Sequence, residues 1–138
     1  MDLELIEKAK SATSTSYSPY SNFKVGAAVR MSDGRIFTGS NQENAAYSAC
    51  VYAERVALLY ACANADGAYP VSIAIAAYSE GKFTDEIITP CGECCQVLLE
   101  MEKRFGHNIS IYLYGKKGVN KLECAKELLP YAFDLANS

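Results

Sequence analysis

Thr89-Pro90-Cys91-Gly92-Glu93-Cys94-Cys95 leads directly into the apolar run Val97-Leu98-Leu99-Glu100-Met101. Proline and glycine mark a tight turn into a helix, and Cys94, Val97, Leu98, Met101 and Phe105 recur at helical spacing. Two thiols three residues apart on a first helical turn point the same way. The unpaired N–H groups and the dipole of a helix N-terminus favour thiolate there. The pattern is a soft-metal site with part of its ligand set missing, since a catalytic zinc takes three protein ligands and keeps one position open.

Outward from this helix the chain alternates between helix and strand. Residues 71–77 are apolar but for Ser72, which predicts a central strand covered on both faces. A second strand is predicted over Ile109–Tyr114, followed by a Lys-Lys-Gly turn, a short edge strand and a helix that stops at Pro130. Toward the N-terminus, Ala53–Asn64 carries Val56, Leu59, Tyr60 and Ala63 on one helical face. Phe23–Val29 alternates as a strand, Ser32-Asp33-Gly34 is a turn and Arg35–Gly39 returns, giving a hairpin. Leu5, Ala9 and Ala12 predict a first helix over residues 2–14. A hairpin followed by alternating elements predicts an α/β fold whose mixed sheet, of about five strands, is layered between helices. No repeat, linker or low-complexity segment divides residues 1–138, so one domain is expected.

The composition narrows the class of function. A net charge of −3, a pI near 5.2 and scattered basic residues argue against nucleic acid as a partner. No run of about 18 apolar residues suggests a membrane span. The first residues, Met1-Asp2-Leu3-Glu4-Leu5-Ile6-Glu7-Lys8, are charged and amphipathic and lack a signal-peptide core, so a cytoplasmic location is expected. The six cysteines would then be reduced, serving as metal ligands or buried thiols. Cys62 and Cys124 lie among apolar residues and read as core thiols. Cys91-Gly92-Glu93-Cys94 also has the C-x-x-C form of a redox motif, but not the strand-then-motif order such proteins show near their start.

Several further blocks carry a resemblance. Ser18-Pro19-Tyr20-Ser21, Phe23-Lys24-Val25-Gly26-Ala27-Ala28, Asn41-Gln42-Glu43-Asn44-Ala45-Ala46-Tyr47, Ala53-Glu54-Arg55, Pro90-Cys91-Gly92-Glu93-Cys94 and Glu127-Leu128-Leu129-Pro130-Tyr131-Ala132-Phe133 occur in this order. Together they resemble the small, single-domain, zinc-dependent cytidine deaminases along nearly the whole chain. The resemblance implies hydrolytic deamination of cytidine or deoxycytidine in pyrimidine salvage. In that chemistry zinc lowers the pKa of a water, and the hydroxide attacks C4 of the base. Glu54 would be the acid/base that takes the proton and delivers protons to the ring nitrogen and the leaving amine. Asn41 and Glu43 would hold the ribose 3′-hydroxyl. Phe23, Tyr47 and Ala53 would line the nucleoside site. Phe133 would reach the base in a neighbouring subunit of a homotetramer with shared sites. Cys91 and Cys94 would be zinc ligands, with Arg55 balancing their charge.

Two departures bear on the metal. The family's first ligand, a Cys or His immediately before Ala-Glu, is replaced by Tyr52, and the usual Arg after the second cysteine is Cys95. Losing one thiolate and one arginine together preserves the charge balance of the site. Three readings stay open. Tyr52 or a water completes the zinc site; Cys95 is recruited, since positions 91, 94 and 95 share about a third of a helix circumference; or no zinc binds and a metal-poor homologue retains a nucleoside pocket. Cys50 should point away from the ligand direction, and His107 reads as a solvated turn residue.

Overall fold

The structure, a computed structural model, describes residues 1–135. Three helices and six strands follow the chain: α1 (Leu3–Ala12), β1 (Phe23–Met31), β2 (Ile36–Ser40), α2 (Ala53–Ala63), β3 (Pro70–Ser79), β4 (Lys82–Phe83), α3 (Gly92–Phe105), β5 (Ser110–Gly115) and β6 (Gly118–Leu122). The sheet order is β2-β1-β3-β5-β6, with β4 paired to the end of β3. Only β3 and β5 run parallel, and the other pairings are antiparallel. The α/β layer and mixed sheet agree with the expectation. The sixth strand is the two-residue β4, too short to leave a period-2 signal.

The apolar run of β3, interrupted only by the buried Ser72, is explained by a sheet covered on both faces. Ala28, Ala74 and Ala76 meet Leu5, Ile6 and Ala9 of α1, whereas Val29, Ile73, Ile75, Ile111 and Leu113 meet α2 and α3. Small residues face α1 because that helix lies very close. A Cβ at Gly26 would come within 2.1 Å of the Ala9 carbonyl oxygen. On the opposite face a Cβ at Gly39 would come within 2.5 Å of the Ala57 backbone nitrogen of α2. Alanine's single methyl is therefore already too large at either position.

Local signals set the helix ends. Asp2 caps α1 by accepting from the Leu5 N–H at 3.1 Å. Gly106, at φ 67°, closes α3 after the basic pair Lys103 and Arg104. One prediction fails: no helix runs to Pro130. Ala125–Glu127 forms only a short 3-10 turn, whose head is tied by the Glu127 carboxylate accepting from the Glu123 N–H at 2.6 Å. The stretch before Pro130 is too short to offset helix nucleation and the proline ends it. Cys62 and Cys124 are half-buried rather than core residues, Cys62 lying 3.5 Å from the Met101 sulfur and Cys124 heading this turn.

Candidate active site

The N-termini of α2 and α3 converge on one cleft. Cys91 is the residue before α3 and Cys94 lies in its first turn. Their sulfurs are 3.8 Å apart. A tetrahedral zinc with Zn–S bonds of about 2.3 Å spaces two sulfurs by about 3.8 Å, so the pair fits one ion. Cys94 is fully buried and Cys91 half-buried. Burial and the nearby Glu54 carboxylate push the Cys94 thiol far above its ordinary value in the metal-free protein.

Glu54, in the first turn of α2, is 4% exposed. Burial raises its carboxyl above the usual carboxylate range, against the opposing influence of hydrogen bonds from its own backbone N–H and the Cys94 thiol. Ala53, just before it, is fully buried and lines the same cleft. Tyr52 precedes α2, but its side chain does not cap the helix. The phenol stands beside Cys91 instead, and the negative charge there is the first cause holding it protonated, ahead of burial. One residue beyond Glu54, the Arg55 guanidinium reaches Glu93 at 3.2 Å through Nη1, while its buried Nε has no acceptor.

The cleft has a volume of about 450 Å³, and Phe23, Val25, Ile75 and Ile88 form its apolar walls. Asn41, Glu43 and Thr89 supply polar groups along it. Asn41 is held by three hydrogen bonds: its Oδ1 accepts from the Val25 N–H at 2.9 Å and from Ser16 Oγ at 2.5 Å, and its Nδ2 donates to the Phe23 carbonyl at 2.8 Å. The Glu43 carboxylate accepts from the backbone N–H groups of Tyr20 and Ser21 at 3.0 and 3.2 Å and from the Ser21 hydroxyl. The hydroxyl bond is the leading cause that keeps this carboxyl below its ordinary range. A contiguous chamber of about 440 Å³ shares Ser21, Asn41, Glu43 and Tyr52 and continues to Tyr20 and Tyr47.

Sequence reasoning placed Phe23, Asn41, Glu43, Tyr52, Ala53, Glu54 and Cys91 on this cleft, and the structure gathers all seven there. Tyr47 is 77% exposed and lines the second chamber, edge-on to the Tyr20 ring. Phe133 lines neither chamber of its own chain; its ring is 67% exposed while its carbonyl accepts from Gln96 Nε2 at 3.1 Å. Cys95 is not brought to the thiol pair, because its Sγ turns to the Pro90 carbonyl at 3.6 Å. Among the described residues, no three Cys, His, Asp or Glu side chains converge as metal donors. Ser21, Val25, Ile75, Ile88 and Thr89 were missed as lining residues. Strand geometry puts Ile75 on the same face of β3 as Ile73, a signal that could have placed it, whereas Ile88 and Thr89 lie in a loop and carry no periodic signal.

Residues 1–105 match the family described as the cytidine and deoxycytidylate deaminase zinc-binding region. The chain belongs to this family. Cytidine deaminase from Sporosarcina psychrophila is 38% identical over 134 residues, covering 96% of this chain and 92% of that protein. Cytidine deaminase from Halalkalibacterium halodurans is 39% identical over 129 residues, covering 94% and 91%. The crystal structure of cytidine deaminase from Burkholderia pseudomallei superimposes with a TM-score of 0.81 at 41% identity, covering 96% of this deaminase-family chain and 99% of that one. The six-stranded sheet flanked by three helices is thus the fold of solved cytidine deaminases. No helix among the described residues is long and apolar enough to cross a membrane.

Proposed function

We propose that this protein hydrolyses the exocyclic amine of cytidine or deoxycytidine, consuming water and releasing uridine or deoxyuridine and ammonia. The observation that carries this reading is the buried Glu54 carboxyl set against the Cys91–Cys94 pair on the wall of a nucleoside-sized cleft. The similarity to named cytidine deaminases over almost the full chain supports it. Cys91 and Cys94 would hold the zinc for which the family is described. Zinc bound there supplies a water that is acidic enough to ionise near neutral pH.

Glu54 does the proton work. Its raised affinity for a proton suits a group that must take one from water and release it to the ring nitrogen and then to the departing amine. Asn41 and Glu43 hold the sugar hydroxyls, each fixed by the hydrogen bonds that orient it. Phe23 and Ala53 pack the nucleoside. Neither chamber is lined by Lys or Arg, and Glu43 adds a negative charge, so an uncharged nucleoside fits better than a nucleotide phosphate. The exposed Phe133 and Tyr47 rings are suited to a homotetramer in which neighbouring chains complete one another's sites.

A second reading is a metal-poor homologue that binds a nucleoside without turning it over. The convergence of only two Cys, with a phenol beside them, favours it. Ultraviolet-monitored deamination of cytidine and deoxycytidine by zinc-supplemented protein, with Glu54→Ala as control, separates the two. Turnover that vanishes in the control is expected. Cytidine binding by calorimetry without turnover would favour the second reading, and neither binding nor turnover would sink both.

A further inference from the structure

We propose that Ser21 is a positioning residue for sugar recognition: its hydroxyl fixes the plane of the Glu43 carboxylate so that one oxygen accepts the 3′-hydroxyl of a bound nucleoside. The inference rests on the preceding reading in taking Glu43 as a sugar ligand. It begins with the acceptor positions of that carboxylate. An ionised carboxylate offers about four lone-pair sites. The Tyr20 and Ser21 N–H groups donate to Oε1 at 3.0 and 3.2 Å, and the Ser21 hydroxyl donates to Oε2. About one site is left, on Oε2, and as an acceptor it takes a hydroxyl donor.

The Ser21 hydroxyl is itself fully committed. Its oxygen accepts from the Phe23 N–H at 3.1 Å, the local turn a serine makes with the chain two residues on. Its proton goes to Glu43, 22 residues along the chain, which no local turn explains. One side chain thus links the start of β1, where Phe23 walls the cleft, to the carboxylate on the same cleft. Ser21 lines both chambers, at the place where they share Asn41 and Glu43. The hydroxyl acts on the charged, accepting form of Glu43, as the leading cause that keeps its carboxyl low.

Backbone bonds hold the surrounding loop without this hydroxyl. Asn22, in the left-handed region at φ 56°, turns the chain into β1, and its N–H donates to the Ser18 carbonyl at 2.9 Å. The Tyr17 N–H donates to the Asn41 carbonyl at 3.0 Å, and the Glu43 N–H to the Tyr17 carbonyl at 2.8 Å. Removing the hydroxyl leaves these bonds and the two on Oε1. The carboxylate then has one anchored oxygen and one free to swing, so the loss falls on sugar recognition and not on the fold.

The test is calorimetric binding of cytidine and 3′-deoxycytidine to the full chain carrying Glu54→Gln, so that turnover does not intrude. With Ser21 in place, cytidine should be preferred by about tenfold or more, the usual worth of a hydrogen bond to a charged group. Adding Ser21→Ala should cut the preference to about threefold or less by loss of cytidine affinity alone. Ser21→Thr, which keeps the hydroxyl, should retain the preference, and Glu43→Ala should abolish it. A full preference in Ser21→Ala alongside its loss in Glu43→Ala would overturn the proposal and leave Glu43 as the sugar ligand. Equal weakening of both nucleosides by Ser21→Ala would also overturn it, assigning the hydroxyl to loop structure alone. A preference absent with Ser21 in place, or surviving Glu43→Ala, would remove the sugar role of Glu43 and the proposal with it.

Discussion

Glu54 and Asp2 are carboxylates with opposite environments, and they make opposite predictions. Replacing Glu54 by Gln should lower kcat by about 10²- to 10⁴-fold, the usual contribution of a positioned acid/base, with little change in KM for cytidine. In the metal-free protein, the folded pKa of Glu54 lies above its unfolded value. Its contribution to stability is therefore complete below the unfolded pKa and is lost as pH rises through the folded one. Urea midpoints at about pH 5 and pH 8 should diverge less for metal-free Glu54→Gln than for wild type. Asp2 is held low, first by its hydrogen bonds from Arg30, and also accepts from the Leu5 N–H. Its contribution is present above the unfolded value of 3.8 and disappears as pH falls through the folded one. Asp2→Asn should flatten the acid limb of the denaturation profile. The roles of both were partly legible: Ala53-Glu54-Arg55 carried a family signal, but Asp2 showed only as an acidic N-terminus until Arg30 of β1 was seen to reach it.

At the scale of elements, helices are tied to the sheet by close approach and by one buried carboxylate. Glu102 of α3 is 9% exposed, and its Oε2 accepts from the Ile109 N–H at 2.7 Å and the Ala125 N–H at 2.9 Å. It thereby joins α3 to the start of β5 and to the last turn. Glu102→Ala strands two donors and should destabilise the fold by about 2–4 kcal/mol in thermal or urea unfolding, with Gln restoring part of the loss. Gly39→Ala would force a methyl into the backbone of α2. It should lose about 1–3 kcal/mol and, because α2 carries Glu54, reduce activity beyond what the stability loss explains. The long periodic elements could be read from sequence because alternation and helical spacing are local, but the face that α2 buries was misread: Leu59 and Tyr60 are exposed, and Ala53, Ala57, Leu58 and Ala61 meet the sheet instead. Neither the sixth strand nor the absent last helix could be, since two residues carry no period and a few residues before a proline do not nucleate a helix.

For the whole molecule, the proposed shared sites make a test of assembly. Sedimentation should give four times the chain mass of 15.0 kDa. Phe133→Ala should weaken turnover, and mixing it with inactive Glu54→Gln under exchanging conditions should restore activity, because each supplies what its neighbour lacks. Failure to recover activity in verified mixed assemblies would place Phe133 outside its neighbours' sites. Fold class, the two-cysteine helix start and the order of the family blocks were all present in the linear chain, being properties of spacing and residue type. Tertiary structure alone decided which donors converge. It packed α2 and α3 on the same face of the sheet, turned Cys95 to the Pro90 carbonyl and set Tyr52 beside Cys91. Adjacent positions on a helix share a neighbourhood in sequence, but the direction of each side chain is set by what the opposite element leaves room for.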